Sequence, residues 1–555
     1  MTTNKLTGGS AFLTLLKDEG ITHLFGNPGT TELPIMHALR DHQDLTYVLG
    51  LQEAIVVAMA DGFSRASGKL SACNVHVAPG LGNAIGAIYN AKFTGTPMII
   101  TAGQQEQGHG LTEPLLYDPL VPMATPVVKW ATEVSRLEDL PRIVRRAAKI
   151  ATTPPTGPVF LSLPGDILND EAGIDLGAST RVETRNQPTP AVLATVVDRM
   201  LAAERPVIIA GDELVKSNAL AEAAQLAEVL GAAAYQQTVA YGAHFLSEHP
   251  CFMGTLSRDQ ADVQSVLAPY DLMIVLGADP LRMSVWSEIS PLPAHMKIIH
   301  MGLNDWDMGK NYPAELAIRS DLKSTLDALL PVLRERGGAA LTDRAKSRRA
   351  GYTAKNWSAR RGPLVARLEG LSSHKPLDPD WVSLQIINAL PENAVVVNEA
   401  LTSTRQLNAL RPYRDRYDYH ALASGGIGWA LPAAIGIQLA DLSRPVCAII
   451  GDGSAMYSIQ ALWTAAHLKL PMTYIITNNA SYRIIKQRLL AFHKNSHFVG
   501  MDFSDPPLDF TAIAQGMGLT AERITEADAL APALAAAFAH DGPNLLDIAV
   551  DGHVG

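Results

Sequence analysis

Short apolar runs alternate with longer stretches of helical period in three separate parts of the chain. The first part holds the runs ITHLFG (Ile21 to Gly26), TYVLGL (Thr46 to Leu51), PMIITAG (Pro97 to Gly103) and PVFLSLP (Pro158 to Pro164), with a helical stretch from Ala54 to Ala66. That rhythm predicts parallel strands joined by crossover helices. A polar stretch without apolar periodicity, Ser179 to Thr189, reads as a linker. The second part opens with PVIIAG (Pro206 to Gly211), continues with an Ala/Leu-rich helix from about Asn218 to Gly231, and adds the buried strands of DLMIVLGADP and KIIHMG before ending near Arg336. A charged stretch, Leu341 to Leu368, reads as helical and connecting. HKPLDPDW then leads into the third part, with AVVVNEA (Ala394 to Ala400) and a Gly425-Gly426 turn. The expected boundaries are residues 1–178, 190–336, a connecting segment 337–378, and 379–555.

The length of 555 residues suits about three to four domains. With 47% hydrophobic and 18% charged residues, the cores are ample and the surface is lightly charged. A net charge of −10 argues against nucleic acid as a partner, and Lys346, Arg348 and Arg349 read as a solvated helix face. The three cysteines, Cys73, Cys251 and Cys447, show neither metal-ligand spacing nor a disulfide framework. The N-terminus lacks a basic segment followed by an apolar one, and no apolar run approaches membrane-spanning length. The expectation is a soluble protein of the reducing cytoplasm, without nucleic-acid or membrane partners.

The third part carries the strongest chemical signal. Gly451-Asp452-Gly453 follows the strand-like CAII, and Asn478-Asn479 follows the strand-like YIIT. Asp452 and Asn479 are 27 residues apart, about one strand–helix–strand unit. Two neighbouring parallel strands would bring the carboxylate and the amide oxygen together at their C-terminal ends. Two hard oxygen ligands there suit Mg²⁺, which completes its shell with phosphates and water. Gly451 and Gly453 let the backbone approach a diphosphate, and a helix opening at Ser454 offers free N–H groups to an anion. The pairing resembles the thiamine diphosphate signature.

In the first part, Glu53 starts a helix after a strand, where a carboxylate is electrostatically well placed. Beside a thiamine diphosphate site it becomes the candidate for assisting proton removal from the thiazolium carbon. His76 ends the strand-like LSACNVHV just before Pro79-Gly80, and a histidine titrating near neutrality can move protons on covalent intermediates. Gly80, Gly82 and Gly86 miss the dinucleotide fingerprint by one position, and Gly26 to Thr30 lacks the Lys-Ser/Thr of a phosphate loop.

Taken together, FGNPGTTELP (Phe25 to Pro34), LQEA (Leu51 to Ala54), NVHVAPGLGNAIGA (Asn74 to Ala87), TAGQQ (Thr101 to Gln105), SGGIGWALPAAIG (Ser424 to Gly436) and GDGSAMYSIQALWTAA (Gly451 to Ala466) give the chain a family likeness. It resembles thiamine diphosphate-dependent 2-oxo acid decarboxylases of the benzoylformate decarboxylase type over nearly its whole length. The resemblance implies three doubly wound, parallel-sheet α/β domains: pyrimidine-binding, central and diphosphate-binding. It implies a cofactor between the first domain of one subunit and the third of another, hence a dimer at minimum and commonly a dimer of dimers. It implies Glu53 as the cofactor-activating glutamate, and Asp452, Asn479 and the Ser481 carbonyl as Mg²⁺ ligands. Ile427 takes the place of the residue that wedges the cofactor into its bent form. Leu401, Thr402, Gly425, Gly453, Ser454 and Tyr482 fall at cofactor contacts, and His76 matches the active-site histidine.

Four positions depart from the pattern. Thr30 stands where relatives place a serine that contacts the substrate carboxylate. Ser284 stands where a second histidine is expected. Arg488 replaces an aromatic residue and Ile484 a small one. The leading reading is a decarboxylase that turns a 2-oxo acid into an aldehyde, with carboligation as a side reaction. An acetolactate synthase-like ligase or a 2-hydroxyacyl lyase on the same fold is the alternative, and a cofactor-binding scaffold without catalysis is the third. The substrate side chain and any nucleotide in the central domain stay open.

Overall fold

The computed structural model describes residues 5–284 and 286–554. Its three α/β regions are each built on a parallel sheet flanked by helices. Two compact units are present. One comprises the chain up to Val182 with Ala389–Ser403 and Leu422–Gly555; the other comprises Glu183–Asn388 and Thr404–Ala421.

In the first unit, one sheet runs in the order Thr46–Leu49, His23–Gly26, Ser71–Val75, Met98–Gln104, Pro158–Pro164, Trp130–Glu133, every neighbour parallel. Its three middle strands from Ser71 to Pro164 are buried along their whole length. That is why they read as continuous apolar runs, as strands covered on both faces do. The strand order reverses between His23–Gly26 and Ser71–Val75, which opens a crevice at their C-terminal ends. A second sheet of this unit runs Val395–Glu399, Val446–Gly451, Met472–Asn478, Asn544–Ala549, Thr520–Ile524, again all parallel.

The helices Glu53–Ser67 and Ala430–Ala440 pack their backbones together. A methyl group added at Gly62 would lie 2.2 Å from the Ala433 oxygen, and one at Gly436 1.9 Å from the Met59 oxygen. Glycine is therefore required on both faces. Their apolar side chains join one core that includes Phe25, Ile55, Met59, Val397, Trp429 and Ile450. Asp61, fully buried in the seam, accepts from Trp429 Nε1 at 2.6 Å, Thr96 Oγ1 at 2.5 Å and Asn90 Nδ2 at 3.2 Å. Burial pushes its carboxyl up, against the pull of Arg65.

In the second unit the sheet runs Phe252–Thr255, Ala233–Gln236, Pro206–Ala210, Leu272–Leu276, Lys297–Gly302, Leu316–Arg319, all parallel. The Ala/Leu-rich helix spans Leu220–Leu230 and ends at Gly231 with φ +60°, as a left-handed C-terminal cap requires. The charged stretch is helical, as Leu322–Ala350, broken at Gly338 (φ 49°, ψ −149°), and Trp357–Glu369. Among the described residues, no helix is long and apolar enough to cross a membrane.

Candidate functional site

Val446–Gly451 ends at the glycine that precedes Asp452. A helix expected to open at Ser454 is instead a single turn, Asp452–Ala455, and helical structure resumes at Ala461–His467. That turn brings the Asp452 carboxylate, only 3% exposed, against backbone donors. Gly453 N–H donates to its Oδ1 at 2.7 Å and Asn479 N–H to its Oδ2 at 3.0 Å, with the N–H groups of Ala480 and Ser481 adding to these. The two strands are parallel neighbours, as read from the sequence, and the contact between their ends runs through the Asn479 backbone N–H. Burial pushes the carboxyl up to about 6, the backbone donors opposing it. No basic side chain among the described residues pairs with Asp452. A buried carboxylate held only by N–H dipoles is a fit for a divalent cation, which would neutralise it.

The two asparagines divide their work. Asn478, the last strand residue, points inward and donates to Asp547 Oδ1 at 3.0 Å. Asn479 lies beyond the strand, and its Oδ1 accepts from Ser481 N–H at 3.1 Å and Ser481 Oγ at 2.9 Å. The backbone of Asn479 to Ser481 thus borders Asp452 through its N–H groups, while the Asn479 amide oxygen is turned to Ser481; an aspartate and an asparagine oxygen are donors of the type that suits Mg²⁺. Gly453 has no side chain because a Cβ there would lie 2.6 Å from the Tyr482 ring, which packs edge-on against Phe503.

On the same edge, Leu401 is half exposed in a left-handed conformation (φ 42°), and Thr402 is buried beside it. Gly425 (φ +84°) faces open space, and Ile427 is half-buried between Gly426 and Gly428. Glu399, which the sequence did not single out, ends its strand fully enclosed. It accepts from Gly428 N–H at 2.5 Å and Ala430 N–H at 2.6 Å.

At the edge of the first sheet, Glu53 opens its helix 7% exposed, behind Gln52, whose Oε1 caps Ala54 N–H and Ile55 N–H. Asn83 Nδ2 donates to Glu53 Oε2 at 3.1 Å, and a Cβ on Gly80 would lie 2.9 Å from Glu53 Oε1. Gly80 thus lets the start of the Val77–Thr94 helix close on Glu53, whereas Gly82 and Gly86 face open space. His76 stands at the N-cap of that helix, followed by Val77 at φ 37°, a strained conformation for a β-branched residue.

The His76 ring is held by Glu32, a second residue that the sequence did not reveal. His76 Nδ1 lies 2.7 Å from Glu32 Oε2, and the Glu32 side chain is fully buried. Glu32 also accepts from Gly29 N–H at 2.8 Å, Thr31 Oγ1 at 2.8 Å and Gly103 N–H at 2.9 Å. An ionised Glu32 makes Nδ1 the protonated nitrogen and leaves Nε2 as the free one. Thr30 is exposed, and its neighbour Thr31 joins this cluster. Glu53 bonds to Asn83 and His76 to Glu32 within the first α/β region, and Asp452 bonds to Gly453 and Asn479 to Ser481 within the third.

Arg488 is exposed on the helix Arg483–His493 with its guanidinium 5.9 Å from the Phe492 ring, and Ile484 is half-buried on the same helix. In the other unit, Ser284 is exposed. Glu213, in the first turn of the helix Asp212–Lys216, fills the crevice at the switch point of the central sheet. It accepts from Leu303 N–H at 2.6 Å and Asn304 N–H at 3.0 Å. A Cβ on Gly277 would lie 2.3 Å from the Glu213 Cβ.

Comparison with known proteins gives a consistent pattern. The thiamine pyrophosphate enzyme N-terminal TPP binding domain matches residues 6–115, the central domain residues 193–329, and the C-terminal TPP binding domain residues 402–548. The chain is 34% identical to a benzoylformate decarboxylase of Pseudomonas aeruginosa, over 97% of this chain and 98% of that protein. It is 28% identical to a putative acetolactate synthase large subunit of Mycobacterium tuberculosis, over 99% of this chain and 100% of that protein. Among solved structures, it is similar to the thiamine diphosphate-dependent 4-hydroxybenzoylformate decarboxylase of Rhodococcus jostii. The TM-score is 0.87 at 29% identity, covering 98% of this chain and 99% of that one.

Proposed function

The chain belongs to the thiamine pyrophosphate enzyme family, and from that premise we propose that it decarboxylates a 2-oxo acid to an aldehyde without oxidation, with Mg²⁺ as the metal and carboligation as a side reaction. The observation that carries the reading is the His76–Glu32 pair, 2.7 Å apart. Aldehyde formation consumes one proton for each CO₂ released, so a decarboxylase needs a proton donor aimed into its site. A ligase gains by keeping protons away. The likeness to benzoylformate decarboxylases supports the same reading, and the likeness to an acetolactate synthase keeps the ligase as the second one.

Asp452, Asn479 and the Ser481 carbonyl would hold Mg²⁺ and, through it, the diphosphate. Leu401, Thr402, Gly425, Gly453, Ser454 and Tyr482 would line the cofactor, with Ile427 as the wedge. Bound thiamine diphosphate supplies a carbon nucleophile for the 2-oxo carbon and a sink for the electron pair that CO₂ leaves behind. Glu53 exchanges a proton with the aminopyrimidine. His76 donates and recovers a proton at Nε2 while Glu32 holds Nδ1–H. Thr30 offers a hydroxyl to the substrate carboxylate, and Arg488 a cation to a second anionic group. A second copy of the chain would complete each site, giving a dimer at minimum and a tetramer as the expected assembly.

His76→Ala separates the two readings. A decarboxylase loses aldehyde output by about 10²- to 10⁴-fold, the usual value of one general acid–base group. Undiminished product from His76→Ala would favour the ligase.

A further inference from the structure

The four residues Gly425-Gly426-Ile427-Gly428 include three glycines, two of them in left-handed conformations (Gly425 φ +84°, Gly428 φ +97°). Such a segment has little stiffness of its own. It leads into the helix Ala430–Ala440, whose N-cap position, Trp429, provides no side-chain acceptor. The first N–H groups of a buried helix need acceptors from elsewhere. Glu399 provides them. Its Oε1 takes Gly428 N–H and its Oε2 takes Ala430 N–H, with Trp429 N–H and the Ser454 hydroxyl completing the set.

One buried carboxylate therefore joins three segments: the end of the Val395–Glu399 strand, the glycine segment bearing Ile427, and the turn after Asp452. Trp429 is fixed at its other end by the Asp61 bond across the seam. We propose that Glu399 is a positioning residue for the cofactor, locking the Ile427 segment in register with the Asp452-Gly453-Ser454 turn. This rests on the thiamine diphosphate reading of the site but not on the identity of the reaction. Glutamine at 399 keeps the shape but turns an NH₂ group toward N–H donors, so the lock opens while the core stays filled.

The test is the affinity of purified apoprotein for thiamine diphosphate at saturating Mg²⁺, read by quenching of tryptophan fluorescence without substrate. Inorganic diphosphate is measured in parallel. Glu399→Gln is expected to weaken thiamine diphosphate about 10- to 100-fold while leaving inorganic diphosphate nearly unchanged. Glu399→Gln added to Ile427→Ala is expected to cost little more than Ile427→Ala alone, because both remove one device. Equal losses for both ligands, full additivity with Ile427→Ala, or an unchanged thiamine diphosphate affinity would each overturn the proposal. Should Glu399→Gln fail to fold, Glu399→Asp replaces it in the same three measurements. Failure of the decarboxylase reading would appear instead as absent CO₂ release, with cofactor binding intact.

Discussion

The edge of the third-region sheet and the edge of the central sheet start from the same plan and end differently. In each, a parallel strand gives way, at or just before a glycine, to an acidic turn: Gly451-Asp452 in one, Gly211-Asp212-Glu213 in the other. Asp452 takes its donors from its own turn and from the Asn479 segment, without a basic partner, and Asn479 and Ser481 stand beside it. Glu213 instead reaches across the central crevice. It occupies Leu303 N–H and Asn304 N–H, the donors that an anionic ligand would need, while nearby Lys310 is taken up by Asp279 and Asp307. One edge holds a buried carboxylate bonded only to nearby N–H groups; at the other, the carboxylate spans the crevice to the end of the Lys297–Gly302 strand. The two edges thus share a fold and differ in whether the chain's own carboxylate spans the switch point.

The largest effect that sharpens this contrast is expected from Asp452→Ala. Removing the only carboxylate of the candidate metal set should lower Mg²⁺-dependent thiamine diphosphate affinity by more than about 100-fold, read by calorimetry, and abolish turnover. Glu32→Gln comes next. It should cut turnover by about 10- to 100-fold with little change in cofactor affinity, because it frees the His76 tautomer without touching the Asp452 cluster.

Glu213→Gln should behave in the opposite way. Leaving two buried N–H groups poorly matched should cost about 1–3 kcal/mol in a denaturant titration, with cofactor affinity unchanged. ADP or FAD should not raise the wild-type melting temperature by more than about 2 °C, and a larger rise would break the comparison.

The smallest effect is one of pH. Burial pushes Glu399 up to about 7 and Asp452 to about 6 in the folded protein, above their ordinary values. At these two groups the folded apoprotein then binds more protons than the unfolded chain between those limits. Their contribution to stability is fullest below the ordinary carboxylate range and declines as pH rises toward 7. Mg²⁺ with thiamine diphosphate should flatten the part of the decline due to Asp452, as melting curves with and without cofactor would show.

Much of this was legible because it is local. The buried middle strands announce themselves as apolar runs, and Asp452 and Asn479 lie one strand–helix–strand unit apart with a hydrogen bond that spans 27 residues. Glu32 was hidden because its partners are remote: Gly103 lies 71 residues away and His76 44. In TTELP it reads as an ordinary acid at the start of a helix. Glu399 was hidden for the same reason, its donors lying 29 and 31 residues on. Strand parity, with Asn478 turned in toward Asp547, separates two adjacent asparagines that the sequence presents as a pair. The helix expected at Ser454 is a single turn because the segment through Met456 and Tyr457 leaves the helical path before Ala461.

The most direct test is the stoichiometry of products. Purified protein with Mg²⁺ and thiamine diphosphate is given benzoylformate, phenylpyruvate, pyruvate and branched 2-oxo acids, and CO₂ and organic products are quantified together. One aldehyde for each CO₂ from at least one of these acids is the expected result. A 2-hydroxy ketone or an acetolactate-type acid in place of aldehyde, or no CO₂ from any of them, would contradict it.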